Sequence, residues 1–294
     1  MQISRTTAFL LLAAASLMWS GNWVTGRALR GAYDPVTLNF SRWLIAVLLL
    51  APFALPRRRA IWPAVRRNFG LLLFLAFTGV ALFQSLVYLG LRTTTAVNGV
   101  LINSSLPLFI VLCSWAIERE HATRRQLAGM LVSLAGIVVI VSHGSFENLL
   151  RLELRPGDGW ILLAMPVWGV YSVLLKRRPP ELGGVDFLFV LSFLGLLILL
   201  PPLVVQALRT PLHVPSAAQA LGILYMGVAA SVLAFICWNK GVAVVGANVA
   251  GFTIHLLPAF GTILALLFLG ETFGLYHAAG IATILAGVVL ATRR

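Results

Sequence analysis

The chain has 294 residues, 60% of them hydrophobic and 11% charged, with a net charge of +13. Soluble domains carry about 25% charged residues, so most of this surface cannot face water and no sizeable soluble domain fits between the apolar runs. The arginines stand in the short loops between those runs, where they act as topology signals, which argues against nucleic acid as a partner.

Crossing a hydrocarbon core takes about 20 apolar residues. Runs of that length are predicted at 7–25, 36–55, 69–89, 96–117, 127–142, 159–175, 187–207, 218–239, 247–269 and 275–291. They are continuous, which excludes the alternating strands of a barrel and makes them helices. The first run follows Arg5 as a signal peptide would, but Trp19, Asn22 and Trp23 occupy the place of a small-residue cleavage site. On a helix Trp19, Asn22, Trp23 and Gly26 share a face. An aromatic cleft with an amide suits an amphipathic solute; an interfacial aromatic belt is the competing role. The second run holds Arg42, expected to pair with a carbonyl or with an acid such as Asp34.

Gln84 and Tyr88, four apart in the third run, are neighbours on one face. In the fourth run Asn98, Asn103, Ser104 and Ser105 precede Pro107; in the ninth, Asn248 and His255 precede Pro258. A proline removes a backbone hydrogen bond and can leave a carbonyl for solute or water; a packing kink is the alternative. The sixth run repeats the first face as Trp168, Tyr171, Ser172 and Leu175. Tyr225, Trp238 and Asn239 lie in the eighth, and Lys240 at its end either meets a substrate carboxylate or snorkels to the headgroups. His255, the histidine deep in an apolar run, is read as a hydrogen-bond partner between helices in preference to a proton relay. Glu120 and Glu271 are expected to cap the helices that follow them. No carboxylate lies near the middle of a run, which fits facilitated diffusion or a carboxylate-free coupling. Cys113 and Cys237 read as small apolar residues, and the sequence calls for no disulfide, metal or cofactor.

With the N-terminus inside, the cytoplasmic loops and ends hold fifteen Lys and Arg and the outer loops six. Both termini are therefore expected in the cytoplasm of a multi-pass inner-membrane protein, with lipid around it and a monomer as the expected state. An offset of 151 residues aligns Gly90 with Gly241, Pro107 with Pro258, Glu120 with Glu271, Gly129 with Gly280 and Gly136 with Gly287, among twelve identities in fifty positions. Trp19 and Trp168 match at 149. The chain thus divides into residues 1–142 and 159–294 around a periplasmic linker at 143–158. Each half has five runs, an odd number, so the second inserts upside down. Inverted repeats of this kind belong to secondary transporters with a site near the midplane.

Trp19-Ser20-Gly21-Asn22, Trp168-Gly169, the pairs Pro107…Glu120 and Pro258…Glu271, and Gly129…Ala135-Gly136 with Gly280…Ala286-Gly287 resemble the drug/metabolite transporter superfamily. The similarity is to its ten-helix branch with two EamA-type repeats, and most of all to YddG-type amino acid exporters. It implies an all-α membrane protein of ten transmembrane helices in two inverted five-helix repeats. It also implies a transporter and not an enzyme; no HExxH, GxSxG or Walker loop is present. The expected substrates are neutral and aromatic amino acids, carried by alternating access. The expected binding residues are Trp19, Asn22, Trp23, Gln84, Tyr88, Asn103, Trp168, Tyr171, Trp238, Asn239, Lys240 and His255, with Pro107, Pro258, Glu120 and Glu271 in structural roles. A nucleoside or nucleotide-sugar transporter and a non-transporting scaffold are the alternatives.

Overall fold

A computed structural model describes residues 3–151, 153–211, 213–268 and 274–293. Among them all regular structure is helical, and ten helices are long and apolar enough to cross a membrane. These are α1 (Arg5–Leu29), α2 (Pro35–Arg67), α3 (Phe69–Leu91), α4 (Asn98–Glu118), α5 (Arg124–Val141), α6 (Pro156–Arg177), α7 (Gly184–Arg209), α8 (Ala217–Val245), α9 (Ala247–Leu264) and α10 (Leu275–Thr292).

Local chemistry starts several of them. The Ser4 side chain accepts from Thr7 N, and Asp34 accepts from Val36 N and Thr37 N ahead of Pro35. Thr123 with Gln126 and Ser216 with Gln219 form capping boxes on α5 and α8. The arginine-rich stretch after the second run, read from sequence as a loop, instead continues α2 through a 3₁₀ turn into a helix over Arg58–Arg67. The reason is its spacing: Ile61, Ala64 and Val65 are buried on one face, while Trp62 and the arginines stay exposed.

Three further departures from a plain helix matter for the site. Helix α4 breaks at 104–105, between Ala96–Asn103 and Leu106–Glu118. Its counterpart α9 passes through a 3₁₀ turn at Thr253–His255. Helices α3 and α8 each widen into a π turn, over Phe77–Leu82 and Met226–Leu233. Asn39 Nδ2 of α2 donates to the carbonyls of Val80 and Ala81 at the first π turn, and Ser231 Oγ closes the second onto Met226 O at 2.9 Å.

The packing comes in exchanged pairs. Helix α1 lies on α8 and α9, as α6 lies on α3 and α4; α2 lies on α7, and α5 on α10. In the last pair Gly129 faces Gly287 and Gly136 faces Gly280, so the two helices run antiparallel. A Cβ on Gly287 would stand 2.3 Å from Ser133 N and 2.6 Å from Gly129 O. The repeated glycines are therefore what lets the two backbones touch.

Candidate functional site

Side chains from α1, α3, α6 and α8 meet in one aromatic cluster. The ring of Trp19 lies 5.2 Å from Trp168 and 5.4 Å from Trp238. Trp168 in turn lies 4.7 Å from Phe83 and 5.1 Å from Tyr171. The Trp19 indole donates to Ala230 O at 3.0 Å. The indole N–H groups of Trp168 and Trp238 are buried and without a partner.

Two cavities adjoin this cluster. The inner one, about 30 Å³, is lined from α1, α3, α4, α6, α8 and α9, by Trp19, Asn22, Trp23, Gln84, Asn103 and Trp168 with Phe83, Leu106, Phe235, Ile254 and Leu257. That volume is about one water's share of the liquid. The outer cavity measures about 290 Å³ and shares Trp23, Asn103 and Leu257 with the inner. It adds Ser20, Arg27, Pro258, His143 and His277, and so lies toward the end of the bundle that carries the α1–α2, α3–α4 and α5–α6 connections. A solute reaching the inner chamber from there must pass between Trp23, Asn103 and Leu257, which line both cavities.

Behind the rings stand two matched hydrogen bonds. Tyr88 of α3 donates to Asn22 Oδ1 of α1 at 3.1 Å. Tyr171 of α6 donates to Asn239 Oδ1 of α8 at 3.2 Å. Asn22 and Tyr171 stand 149 residues apart and Tyr88 and Asn239 stand 151 apart, so each half carries the same bond with its two residues exchanged. The first bond continues. Arg42, 1% exposed, donates from Nη1 to Tyr88 Oη at 3.0 Å and from Nε to Ser231 Oγ at 2.7 Å. Asp34 caps its own helix instead. The expected pairing of Arg42 with a carbonyl or an acid thus gives way to two hydroxyls, because the π turn of α8 turns Ser231 toward it.

Other sequence candidates fall outside the chamber. His255 Nε2 meets Ser104 O at 2.9 Å; a carbonyl only accepts, so Nε2 carries the proton and Nδ1 accepts from Ser133. His255 therefore ties α9 to α4 and α5. Two carbonyls at the helix breaks are held by protein, Ser104 O by His255 and Thr253 O by Ser16 Oγ at 3.0 Å; the carbonyls that Pro107 and Pro258 deprive of a helical donor belong to Asn103 and Ile254, which line the inner cavity. Pro107 and Pro258 sit just past those breaks. Tyr225 donates to Met18 O at 2.7 Å, and Lys240 is exposed. Glu120 does not cap α5, whose cap is Thr123; it pairs with Lys176 across the halves and accepts from Ser114 Oγ at 3.3 Å. Glu271 lies outside the described residues. Sequence reasoning passed over Phe83, Phe235 and Arg27, which carry no signal beyond their helical register.

The end opposite the outer cavity is tied by ion pairs between the halves. Glu118 Oε1 accepts from Arg177 Nη2 at 2.7 Å and Nε at 3.1 Å. Lys176 pairs with Glu120, Arg67 with Glu181, and Arg57 Nη1 with the buried Asp186 at 3.0 Å.

The EamA-like transporter family matches residues 6–142 and again 155–293. An uncharacterized transporter of Archaeoglobus fulgidus is 29% identical, with 97% of each chain covered. The transporter YetK of Bacillus subtilis is 28% identical over 96% of this chain and 85% of its own. A probable terminal-alkyne amino-acid exporter of Streptantibioticus cattleyicolor is 27% identical over 100% and 95%. A crystal structure 22% identical superposes with a TM-score of 0.75, covering 98% of this chain and 97% of its own, and so shares the fold. The chain belongs to the EamA-like transporter family, and with it to the drug/metabolite transporter superfamily.

Proposed function

We propose that this transporter is a secondary exporter of small amphipathic metabolites, neutral and aromatic amino acids among them. It works by alternating access between two inverted halves, residues 1–142 and 159–294, joined by 143–158. The reading rests chiefly on one observation: an aromatic chamber where the halves cross, with a cavity on one side and an ion-paired end on the other. Apolar surface entering such a chamber gains about 25 cal/mol per Å². The relative named as a probable terminal-alkyne amino-acid exporter supports the substrate class. One chain supplies every lining helix, so a monomer suffices, in the inner membrane with both termini cytoplasmic. No covalent step is assigned to any residue.

Nucleotide sugars fit less well. Several buried phosphates need several convergent cations, and Arg42 is the basic group behind the chamber. Counterflow in proteoliposomes, with a panel of neutral amino acids, nucleosides and nucleotide sugars, tests the reading. Saturable exchange of phenylalanine or leucine is expected. Exchange of nucleotide sugars with none of amino acids refutes it, and absence of all flux from a folded protein favours the scaffold.

A further inference from the structure

We infer that the solute's carboxylate is the handle this transporter requires, held at the α1–α3 side of the inner chamber, and that an α-amino group is dispensable. The inference rests on the proposed transport function and narrows its substrate class.

The polar atoms lining the chamber are biased toward donors. Arg42 can only donate, so Tyr88 accepts from it and passes its own proton to Asn22 Oδ1. That relay occupies the acceptor of Asn22 and leaves its amide N–H groups for the chamber it lines. Gln84 Nε2 and Trp168 Nε1, both on lining residues, are buried and have no partner. Three donor groups thus converge on a small space, backed by a buried positive charge that makes no ion pair among the described residues. An uncompensated charge and unpaired donors are costly when dry. A carboxylate answers all of them at once, since it accepts at two oxygens and carries the opposite charge.

An ammonium finds the reverse. Two carbonyls at the helix breaks, Ser104 O and Thr253 O, are occupied by His255 and Ser16. The lining amides able to accept are Gln84, one helical turn from the Tyr88 that holds the Arg42 cation, where a second positive charge is repelled, and Asn103, at the mouth between the two cavities, where water serves an amino group as well. The second half, with Tyr171 on Asn239, has leucines at 188 and 191 where Asn39 and Arg42 map by the offset of 149. The cation is therefore one-sided, and it orients the solute with its carboxylate toward α1 and α3 and its apolar part on the rings of Trp19, Phe83, Trp168 and Phe235.

The test is competition against labelled phenylalanine counterflow by the full chain in proteoliposomes, at a pH where every acid used is ionised. The competitors are 3-phenylpropionate, phenylpyruvate, L-phenylalaninamide and phenethylamine. The two acids are expected to compete within about threefold of phenylalanine, and the amide and the amine at least tenfold more weakly. In R42Q the acid-to-amide ratio should collapse toward one, and R42K, which keeps the charge, should retain most of it. The ratio measured on the unmodified chain decides the matter even where R42Q fails to fold. Equal competition by acid and amide, with phenylalanine still carried, overturns this inference alone. Transport of another class with no carboxylic acid recognised overturns the transport reading and this one together.

Discussion

Opening the ion-paired end requires the halves to separate there, and the cost of that step can be read from the pairs that hold it. In E118Q/E120Q two of the inter-half pairs are lost, Glu118 with Arg177 and Glu120 with Lys176. All four side chains are partly exposed, from 24% for Glu118 to 54% for Arg177, so each pair contributes about 0.2–1 kcal/mol. Together they amount to about 0.4–2 kcal/mol, a shift of about twofold to thirtyfold in the ratio of open to closed at that end. The protein carries its own reporter. Cys113 lies between α4 and α6, its Sγ 3.8 Å from Pro166 O and close against Gly169, on the side of the chamber facing this end. In a C237A background, the rate at which a charged maleimide alkylates Cys113 should rise in the double variant by that factor. High salt should produce much of the same rise in the parent, because the Debye length falls from about 8 Å at 0.15 M to about 3 Å at 1 M. It should add little to the variant. The pair Arg151–Glu147, within one connection at the other end, provides the control, and E147Q should leave the rate unchanged. An alkylation rate in E118Q/E120Q equal to the parent's, or an equal rise in E147Q, refutes the assignment of these pairs as the closure.

Three further outcomes are expected. G287A should lower stability by about 1–3 kcal/mol in a thermal melt of the detergent-solubilised protein, because its Cβ meets the α5 backbone; G159A, with nothing within 4 Å, should stay within about 0.5 kcal/mol, and equal melting of the two would contradict the antiparallel seam. H255A should cost about 1–3 kcal/mol by leaving the Ser104 carbonyl unmet. A cysteine at Arg58 should resist an impermeant reagent in intact cells while one at Glu147 reacts, and the reverse pattern would invert the proposed orientation.

The apolar runs alone settled the class, because a bilayer leaves a chain of this composition little choice but helices about 20 residues long. The glycine and proline repeat at an offset of 151 was equally legible, and so was the aromatic and amide face of the first run, since helical spacing is a local property. Asn22, Gln84 and Trp168 were nameable for that reason. The pairings of the polar groups around them were not. Arg42 looked outward to an acid of its own segment, yet it bonds Ser231, 189 residues away, across a π turn that no residue pattern announces. Glu120 looked like a cap and is instead one side of an ion pair with the other half. Two carbonyls at the helix breaks, Thr253 O and Ser104 O, are met by Ser16 and His255, each from a helix remote in sequence. Which end is held shut and which bears the cavity also depends on contacts between the halves. A hydrocarbon solvent dictates where each segment goes, but it is indifferent among apolar faces; the few polar groups inside must find one another, and only the packed structure determines which ones meet.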